Sequence, residues 1–180
     1  MFKVKSVVIY KSKTGFVSKY AQWLAEALPA DLFELSQANP DMLEEYDAVV
    51  YGGSLHAVGI IGIDFIKNNI DRMKGKKVTV FAVGASPPGE EVIKEIIDSN
   101  IPREQQDQIK FFYLRGGFNY KKLPIGDKLL MSLLKIKIKR KKKQGKVLSR
   151  DEKGMLAAYD KPVDFTKKEY IDVIVEHVNS

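Results

Sequence analysis

The sequence predicts an α/β fold built on a doubly wound, five-stranded parallel sheet in the order 2-1-3-4-5. Apolar, β-branched runs of strand length alternate along the chain with amphipathic runs of helix length. Short loops rich in Gly, Ser, Thr and Pro follow three of the strand-like runs. Alternation of this kind implies right-handed crossovers, which place helices on both faces of a parallel sheet.

The first strand and the first helix have the clearest local patterns. A Val-Val-Ile-Tyr run predicts a strand over residues 4–10. From Val17 to Leu28 the apolar residues recur at intervals of three and four, which predicts an amphipathic helix over residues 16–28. Only a short polar loop separates the two elements, as expected of a strand–loop–helix unit.

The remaining elements are predicted from the same patterns. Short apolar runs bounded by turn residues indicate strands, and apolar residues at helical spacing indicate helices. Thr166 and Glu169 have the spacing of a capping box, so we expect the last helix to begin at Thr166 and to run to about Val178. Further strands are expected over residues 31–35, 47–53, 77–83 and 109–114, and further helices over residues 62–73 and 90–98.

One long connection departs from the simple alternation. Roughly fifty residues separate Arg115 from Phe165, where a crossover is usually much shorter. We therefore expect a single domain over residues 1–180 that carries an inserted or extended basic connection over residues 118–165. Ser149 and Glu152 indicate a capped helix over residues 150–158 within it. An amphipathic run precedes that helix and contains Leu129, Leu130, Leu133 and Leu134.

Charge and composition narrow the possible functions. The net charge of +7 is uneven, because residues 121–146 carry +10 and the rest of the chain carries −3. The chain has no cysteine, which excludes disulfides, thiol nucleophiles, Cys-ligated zinc and iron–sulfur clusters. His56 and His177 lack metal-ligand spacing, so redox chemistry would require an organic cofactor. The first ten residues contain no long apolar stretch, so we expect no signal peptide, no membrane span and a cytoplasmic location.

The loop after the first strand has the composition of a phosphate-binding loop. Backbone N–H groups in the first turn of a helix lack intrahelical partners, and they can hold a phosphate together with the helix dipole. Neither a Gly-x-x-x-x-Gly-Lys-Ser/Thr nor a Gly-x-Gly-x-x-Gly motif is present there. An ordinary polar turn remains the alternative interpretation. The residues expected to bind phosphate are Ser12, Lys13, Thr14, Gly15, Phe16 and Val17.

Two further loops are expected at the same edge of the sheet. Ligands of doubly wound sheets bind outside the carboxyl ends of the strands, where the strand order reverses. Residues 12–17, 52–59 and 84–89 each follow an apolar strand, so we expect the three loops to surround one ligand. Turns in a parallel sheet contain Gly and Ser even without a ligand, and that interpretation stays open.

Ser12, Thr14 and Gly15 resemble the flavodoxin fingerprint, in which Ser or Thr, any residue, Thr, Gly, any residue and Thr bind the phosphate of FMN. Val17 stands where that fingerprint has its last Thr, so we expect Ser18 or backbone N–H groups to replace its hydroxyl. The resemblance implies FMN as cofactor. It also implies that two segments flank the isoalloxazine ring: Ser54, Leu55, His56 and Ala57 on one side, and Gly84, Ala85, Ser86 and Pro87 on the other.

His56 is the one histidine in these segments. One interpretation is a loop histidine that bonds backbone or solvent. The other is a ring contact or proton relay, since imidazole titrates near neutral pH. His177 is expected at the end of the last helix, where a cation suits the dipole, and we assign it no chemistry. No side chain can be named as the catalytic acid or base.

Several other stretches resemble the flavodoxin-domain family that includes the menaquinone-dependent protoporphyrinogen dehydrogenases. They are Lys13-Thr-Gly with Tyr20-Ala, Tyr46-Asp-Ala-Val-Val-Tyr-Gly-Gly-Ser-Leu, Leu114-Arg-Gly-Gly-Phe-Asn-Tyr, the basic run 127–143, and Lys161-Pro-Val-Asp-Phe-Thr. This resemblance implies an FMN-dependent, quinone-linked oxidoreductase that converts protoporphyrinogen IX to protoporphyrin IX. One alternative is an electron-transfer flavodoxin that docks on an acidic redox partner. Another is a polybasic membrane or regulatory module without a working cofactor site.

Two charge features bear on these alternatives. Residues 52–59 and 84–89 contain no acidic and no aromatic residue, which favours two-electron chemistry because a reduced flavin would meet no like charge there. The basic run has three interpretations: a solvated surface, an anchor on an anionic membrane, or a site for an acidic ligand such as a porphyrinogen. Nucleic-acid binding is not expected, because the run lacks interleaved aromatic residues. Its cations are Lys135, Lys137, Lys139, Arg140, Lys141, Lys142 and Lys143.

Overall fold

The computed structural model describes residues 4–87 and 89–180. These residues form two compact units. The first unit contains the described residues up to Gly116 together with Phe165–Ser180, and the second unit is Gly117–Asp164. Residues 1–3, and residue 88 of the predicted third loop, lie outside the described residues.

The first unit is an α/β unit with a five-stranded parallel sheet in the order β2-β1-β3-β5-β6. A two-residue strand, β4, pairs antiparallel with β3 at its end. When β4 is left out, the parallel strands follow the order 2-1-3-4-5, so the predicted fold class is confirmed. The strands are β1 (Ser6–Lys11), β2 (Asp31–Glu34), β3 (Ala48–His56), β4 (Gly59–Ile60), β5 (Lys77–Gly84) and β6 (Ile109–Arg115).

Helices cover both faces of this sheet. Because strand side chains alternate between faces, Val7 and Ile9 of β1 lie in one apolar cluster and Val8 lies in the other. The first cluster includes Ile96 of the third helix, and the second includes Leu24 of the first helix. The helices of this unit are α1 (Phe16–Ala27), α2 (Asp64–Lys67), α3 (Glu90–Asn100) and α6 (Asp172–Asn179), and those of the second unit are α4 (Ile125–Lys143) and α5 (Arg150–Asp160).

The helix predicted over residues 62–73 is wrong as a continuous element. It consists of the short α2 followed by a 3₁₀ helix, Ile70–Met73. The side-chain amide of Asn69 donates to the Phe65 carbonyl oxygen at 2.7 Å. A side chain that bonds a carbonyl in this way competes with the backbone of the helix, which accounts for the interruption.

The last helix begins later than predicted. Residues Lys168–Ile171 form a 3₁₀ helix and α6 begins at Asp172, so the capping box of Thr166 and Glu169 is wrong. The Phe165 N–H donates to the Gly116 carbonyl oxygen at 2.9 Å, and the Lys167 N–H donates to the Tyr20 hydroxyl at 3.4 Å. These contacts with distant parts of the chain hold residues 165–167, before the 3₁₀ helix, in an extended conformation.

The second unit contains α4, α5 and a short antiparallel pair of strands, β7 (Gly117–Phe118) and β8 (Val163–Asp164). The basic run is helical, since it lies within α4. The capped helix predicted over residues 150–158 is confirmed as α5, and Ser149 and Glu152 form its capping box. The Lys141 ammonium lies 2.9 Å from the Glu152 carboxylate and so joins the two helices. None of the helices in the described part of the chain is long and apolar enough to cross a bilayer.

Candidate cofactor site

The loop between β1 and α1 presents backbone donors at the carboxyl end of the sheet. Gly15 precedes α1 in the left-handed region, with φ of +95°, which glycine adopts without strain. The Ser12 hydroxyl accepts the Gly15 N–H at 3.1 Å and closes the loop. The Lys19 N–H bonds the Gly15 carbonyl oxygen at 3.1 Å, so the three N–H groups of residues 16–18 precede the first helical bond.

The first turn of α1 carries no negative charge that would oppose an anion. This turn contains no acidic residue, and among the described residues no side chain caps the helix. The positive end of the helix dipole and the N–H groups of residues 16–18 therefore form an anion site made of backbone. Thr14 lies half-buried in the same loop.

Neither Val17 nor Ser18 supplies the additional side-chain hydroxyl that the flavodoxin fingerprint provides for the phosphate. Val17 is 1% exposed and packs in the core with α1, so only its backbone N–H can serve a ligand. The Ser18 hydroxyl donates to the Gly15 carbonyl oxygen at 2.8 Å, so its proton is used within the loop. At the position where the flavodoxin fingerprint has its last Thr, backbone amides are what this chain offers.

The first loop and the end of β3 meet directly. The Lys13 N–H donates to the Ser54 hydroxyl at 3.2 Å, across 41 positions of sequence. The loop predicted over residues 52–59 is wrong in form, because β3 continues to His56 and pairs with β4. Residues 57 and 58 are the turn of this hairpin, and Ala57 has a positive φ of 53°. Ser54, Leu55 and His56 are therefore strand residues.

A buried asparagine fixes the hairpin. Asn100, at the end of α3, is 5% exposed. Its Oδ1 accepts the Ile60 N–H at 2.7 Å, and its Nδ2 donates to the carbonyl oxygens of Val58 at 2.6 Å and Ile96 at 2.7 Å. Buried polar groups joined in this way hold their partners in one arrangement. The sequence analysis did not identify Asn100, since a single Asn at a helix end is a common feature.

The segment 84–87 approaches the hairpin where glycine leaves room. A Cβ at Gly84 would lie 2.3 Å from the Tyr113 hydroxyl oxygen and 3.1 Å from Leu55 Cδ1. The sequence analysis predicted Leu55 and Gly84 on opposite sides of an isoalloxazine ring. The structure brings these two residues together at this edge of the sheet. Ala85, Ser86 and Pro87 are exposed beyond them.

Tyr113 and Arg115 of β6 hold this segment, and the sequence analysis gave neither a role. The Tyr113 hydroxyl donates to the Ser86 carbonyl oxygen at 2.7 Å, and Arg115 Nε donates to the Ala85 carbonyl oxygen at 3.4 Å. Burial raises the pKa of Tyr113, and the charge of Arg115 opposes that shift. The Arg115 guanidinium also stacks 3.8 Å from the Phe165 ring centroid. The sequence feature that could have identified these two residues is a Tyr and an Arg in alternate positions at the end of the fifth parallel strand.

The two histidines lie in different places. His56 is exposed at the end of β3, paired in register with Gly59. His177 lies in the last turn of α6, with its ring centroid 6.0 Å from that of Phe112. Burial lowers the pKa of His177, and the charges of Lys77 and Lys110 lower it further. Within the described residues, no group of three or more His, Cys, Asp or Glu is placed to hold a metal ion.

Three segments thus meet at the carboxyl edge of a doubly wound sheet, and one of them offers backbone donors to an anion. The arrangement is that of a nucleotide- or mononucleotide-binding α/β protein. The chain belongs to the flavodoxin-domain family, whose model, described as "Flavodoxin domain", matches residues 7–145. Family membership points to FMN as the cofactor and to a flavoprotein that carries out redox chemistry.

The chain is also similar to solved flavoproteins. A two-electron reduced flavodoxin from Megasphaera elsdenii is 16% identical, with a TM-score of 0.46 over 67% of this chain and 89% of that chain. Oxidised flavodoxin 1 from Bacillus cereus is 20% identical, with a TM-score of 0.43 over 62% and 84%. A flavoprotein from Bacteroides eggerthii is 18% identical, with a TM-score of 0.45 over 61% and 86%. No curated protein is detectably similar to the chain.

Proposed function

We propose that this protein is an FMN-dependent oxidoreductase that takes electron pairs from a reduced small molecule, protoporphyrinogen IX, and passes them to a quinone. The observation that carries the proposal is the anion site in front of α1, which the Lys13–Ser54 contact joins to the hairpin. Bound FMN supplies the two-electron chemistry.

The residues fit a mononucleotide. The N–H groups of residues 16–18 and the Thr14 hydroxyl would hold the phosphate, while Ser12 shapes the loop. The hairpin residues Ser54, Leu55, His56 and Ala57 and the segment Gly84, Ala85, Ser86 and Pro87 would flank the ring.

Charge around the two ring segments favours an enzyme over a low-potential carrier. Residues 52–59 and 84–89 contain no carboxylate, and Arg115 brings a cation to the Ala85 carbonyl. A nearby cation stabilises negative charge that a bound group gains on reduction, and a nearby carboxylate would oppose it. A raised potential suits electron transfer from an organic substrate to a quinone.

The choice of substrate depends on the family resemblance and on charge. Protoporphyrinogen carries carboxylates, which Lys and Arg can pair. The second unit carries such cations, and among the described residues five of those in its basic run have no carboxylate within ion-pair distance. The same cations favour the second candidate, an electron-transfer flavodoxin that docks on an acidic redox protein.

Two measurements test the proposal in order. FMN binding is measured by fluorescence titration for the wild type and for Gly15→Ala and Gly75→Ala. Both glycines have positive φ and open space around the Cβ position, so the two variants share the backbone cost of about 1–2 kcal/mol. We expect only Gly15→Ala to weaken FMN binding, because only Gly15 shapes the anion site.

The reaction is then measured with the FMN-loaded protein under anaerobic conditions. We expect protoporphyrin fluorescence to appear when protoporphyrinogen IX and a menaquinone analogue are both present. A protein that binds FMN normally but leaves protoporphyrinogen unchanged would exclude this substrate. Rapid reduction by an acidic redox protein in the same preparation would then favour the electron-transfer candidate.

A further inference from the structure

The exposed face of α4 carries an unusual run of large aliphatic side chains. Ile125 is 87% exposed, Leu129 65%, Leu133 58% and Ile136 48%. Their spacing of four, four and three places them in one stripe along the helix. Leu130, which is 55% exposed, lies beside the stripe. Soluble proteins seldom leave a contiguous apolar patch of this kind without a partner.

Contacts inside the second unit fix which face of α4 is exposed. Ile138, on the opposite side of the helix, is 3% exposed. The Tyr159 hydroxyl of α5 donates to the Met131 carbonyl oxygen, and Lys135 lies 3.5 Å from Asp160. The apolar stripe therefore belongs to a helix with a packed side and an open side.

Cations continue the same face toward the end of α4. Arg140 and Lys143 extend the stripe at helical spacing. Lys135 forms an ion pair with Asp160, and Lys141 forms one with Glu152. In the part of the chain that the structure describes, the five others have no carboxylate within ion-pair distance. They are Lys137, Lys139, Arg140, Lys142 and Lys143.

Apolar and cationic side chains also share one groove. It has a volume of about 890 Å³ and lies between α4 and α5. Leu133 and Ile136 form part of its wall, and Lys137 and Arg140 are at the same opening. An occupant of this surface must therefore combine a hydrocarbon part with negative charge.

We propose that the open face of α4 docks on an anionic lipid surface, with the aliphatic stripe in the acyl boundary and the cations against the headgroups. The composition favours lipid over a protein partner. Protein interfaces are enriched in aromatic residues and Arg and depleted in Lys, whereas α4 has no aromatic residue and four of these five cations are Lys. A second copy of the chain would set these cations against one another.

The full-length protein is tested by co-sedimentation with two kinds of vesicle. One kind contains phosphatidylglycerol and phosphatidylcholine, and the other contains phosphatidylcholine alone. We expect binding to the anionic vesicles and its reversal by salt, because headgroup attraction is screened. Equal binding to both kinds, or to neither, would overturn the proposal.

Matched variants separate the two parts of the surface. Leu129→Ser with Leu133→Ser removes apolar area from the stripe, while Val92→Ser with Val173→Ser does the same at exposed sites on α3 and α6. Arg140→Gln with Lys143→Gln removes two cations from the face, while Lys94→Gln with Arg103→Gln removes two exposed cations elsewhere. We expect each α4 pair to lower binding by about tenfold or more, and the control pairs to leave it unchanged.

Two results would contradict the docking mode. If the leucine pair binds as the wild type does, the aliphatic stripe does not enter the lipid. If light scattering shows a dimer that the leucine pair dissociates, the occupant of the stripe is a second copy. Since the substituted side chains are exposed, we expect all four variants to keep the wild-type urea midpoint.

Discussion

The β3–β4 hairpin and the segment 84–87 lie at the same edge of the sheet, but they are held by different kinds of contact. Three hydrogen bonds of 2.6–2.7 Å join the hairpin and α3 to the buried side chain of Asn100. In the segment 84–87, Gly84 ends β5 and its carbonyl oxygen accepts the Gly116 N–H, but Ala85 and Ser86 beyond it are held by one bond from Tyr113 and one longer bond from Arg115, both exposed to solvent.

This difference has consequences for a flavin bound between the two segments. Water competes with the exposed bonds and is excluded from those of Asn100, so the hairpin is the more rigid wall. The segment 84–87 can move at a small cost in free energy. We therefore expect changes at Asn100 to affect folding and binding together, and changes at Tyr113 or Arg115 to cost much less stability, with Arg115 acting mainly on the bound cofactor.

The largest effect is expected for Asn100→Leu. The substitution keeps the approximate volume but leaves the Ile60 N–H and the Val58 carbonyl without their partner. Each buried group left in this state costs about 1–3 kcal/mol, so we expect the free energy of unfolding to fall by about 2–5 kcal/mol. Urea denaturation measures this loss, and FMN titration should show weaker binding in the same variant.

Asn69→Leu is the matched control for that substitution. Asn69 makes one bond, to the Phe65 carbonyl oxygen, in a more exposed place. We expect it to cost about 1 kcal/mol and to leave FMN binding unchanged. Equal losses of stability in the two variants would show that Asn100 does not hold the hairpin.

The next effect in size is expected for Gly84→Ala. Its Cβ would lie 2.3 Å from the Tyr113 hydroxyl oxygen, so the tyrosine must move and lose Ser86. Overpacking of this kind costs about 1–3 kcal/mol. We expect weaker FMN binding by titration and a lower urea midpoint. Gly89→Ala adds the same atom in open space at the N-cap of α3, so it should lower the urea midpoint slightly and leave FMN binding unchanged.

The sequence predicted the sheet because its strands are strongly patterned. β1, β3 and β5 are buried apolar runs, and such runs are typical of parallel strands covered by helices on both faces. The start of α6 could not be predicted, since Phe165 and Lys167 bond to Gly116 and Tyr20, far away in sequence. A capping pattern is local, and these contacts override it.

At the candidate site, too, features set by the local sequence were predictable, and features set by contacts distant in sequence were not. The donors before α1 follow from a local loop, and so they were predictable from Ser12 to Gly15. The hairpin was not, because Ala57 and Val58 are poor turn residues and their conformation depends on Asn100. Tyr113 and Arg115 reach the segment 84–87 only because β5 and β6 are neighbours in the sheet.

A smaller effect is expected for Arg115→Gln. Loss of the cation beside Ala85 removes a stabilising charge interaction with the reduced cofactor, which we put at about 1 kcal/mol. For a two-electron couple this corresponds to a fall in midpoint potential of about 20 mV. As a control, Arg103→Gln removes the same charge from an exposed position of another turn.

Dye-equilibrium titration of the FMN-loaded proteins should show the lower midpoint potential only for Arg115→Gln. Equal midpoint potentials in the two variants would exclude Arg115 as a residue that raises the potential of the bound flavin.

The smallest effect is expected for Tyr113→Phe, and it depends on pH. Near neutral pH the variant loses one exposed hydrogen bond, worth about 0.5 kcal/mol of unfolding free energy. Burial raises the pKa of Tyr113 in the folded protein, so the stability linked to its neutral form is fully present below pH 10 and is lost as the pH rises through the folded pKa. Tyr46, whose pKa burial raises to about 12, and Tyr51 behave in the same way. We therefore expect urea midpoints measured from pH 9 upward to fall less steeply in the variant than in the wild type. Identical slopes would mean that Tyr113 ionises in the folded protein as readily as in the unfolded chain.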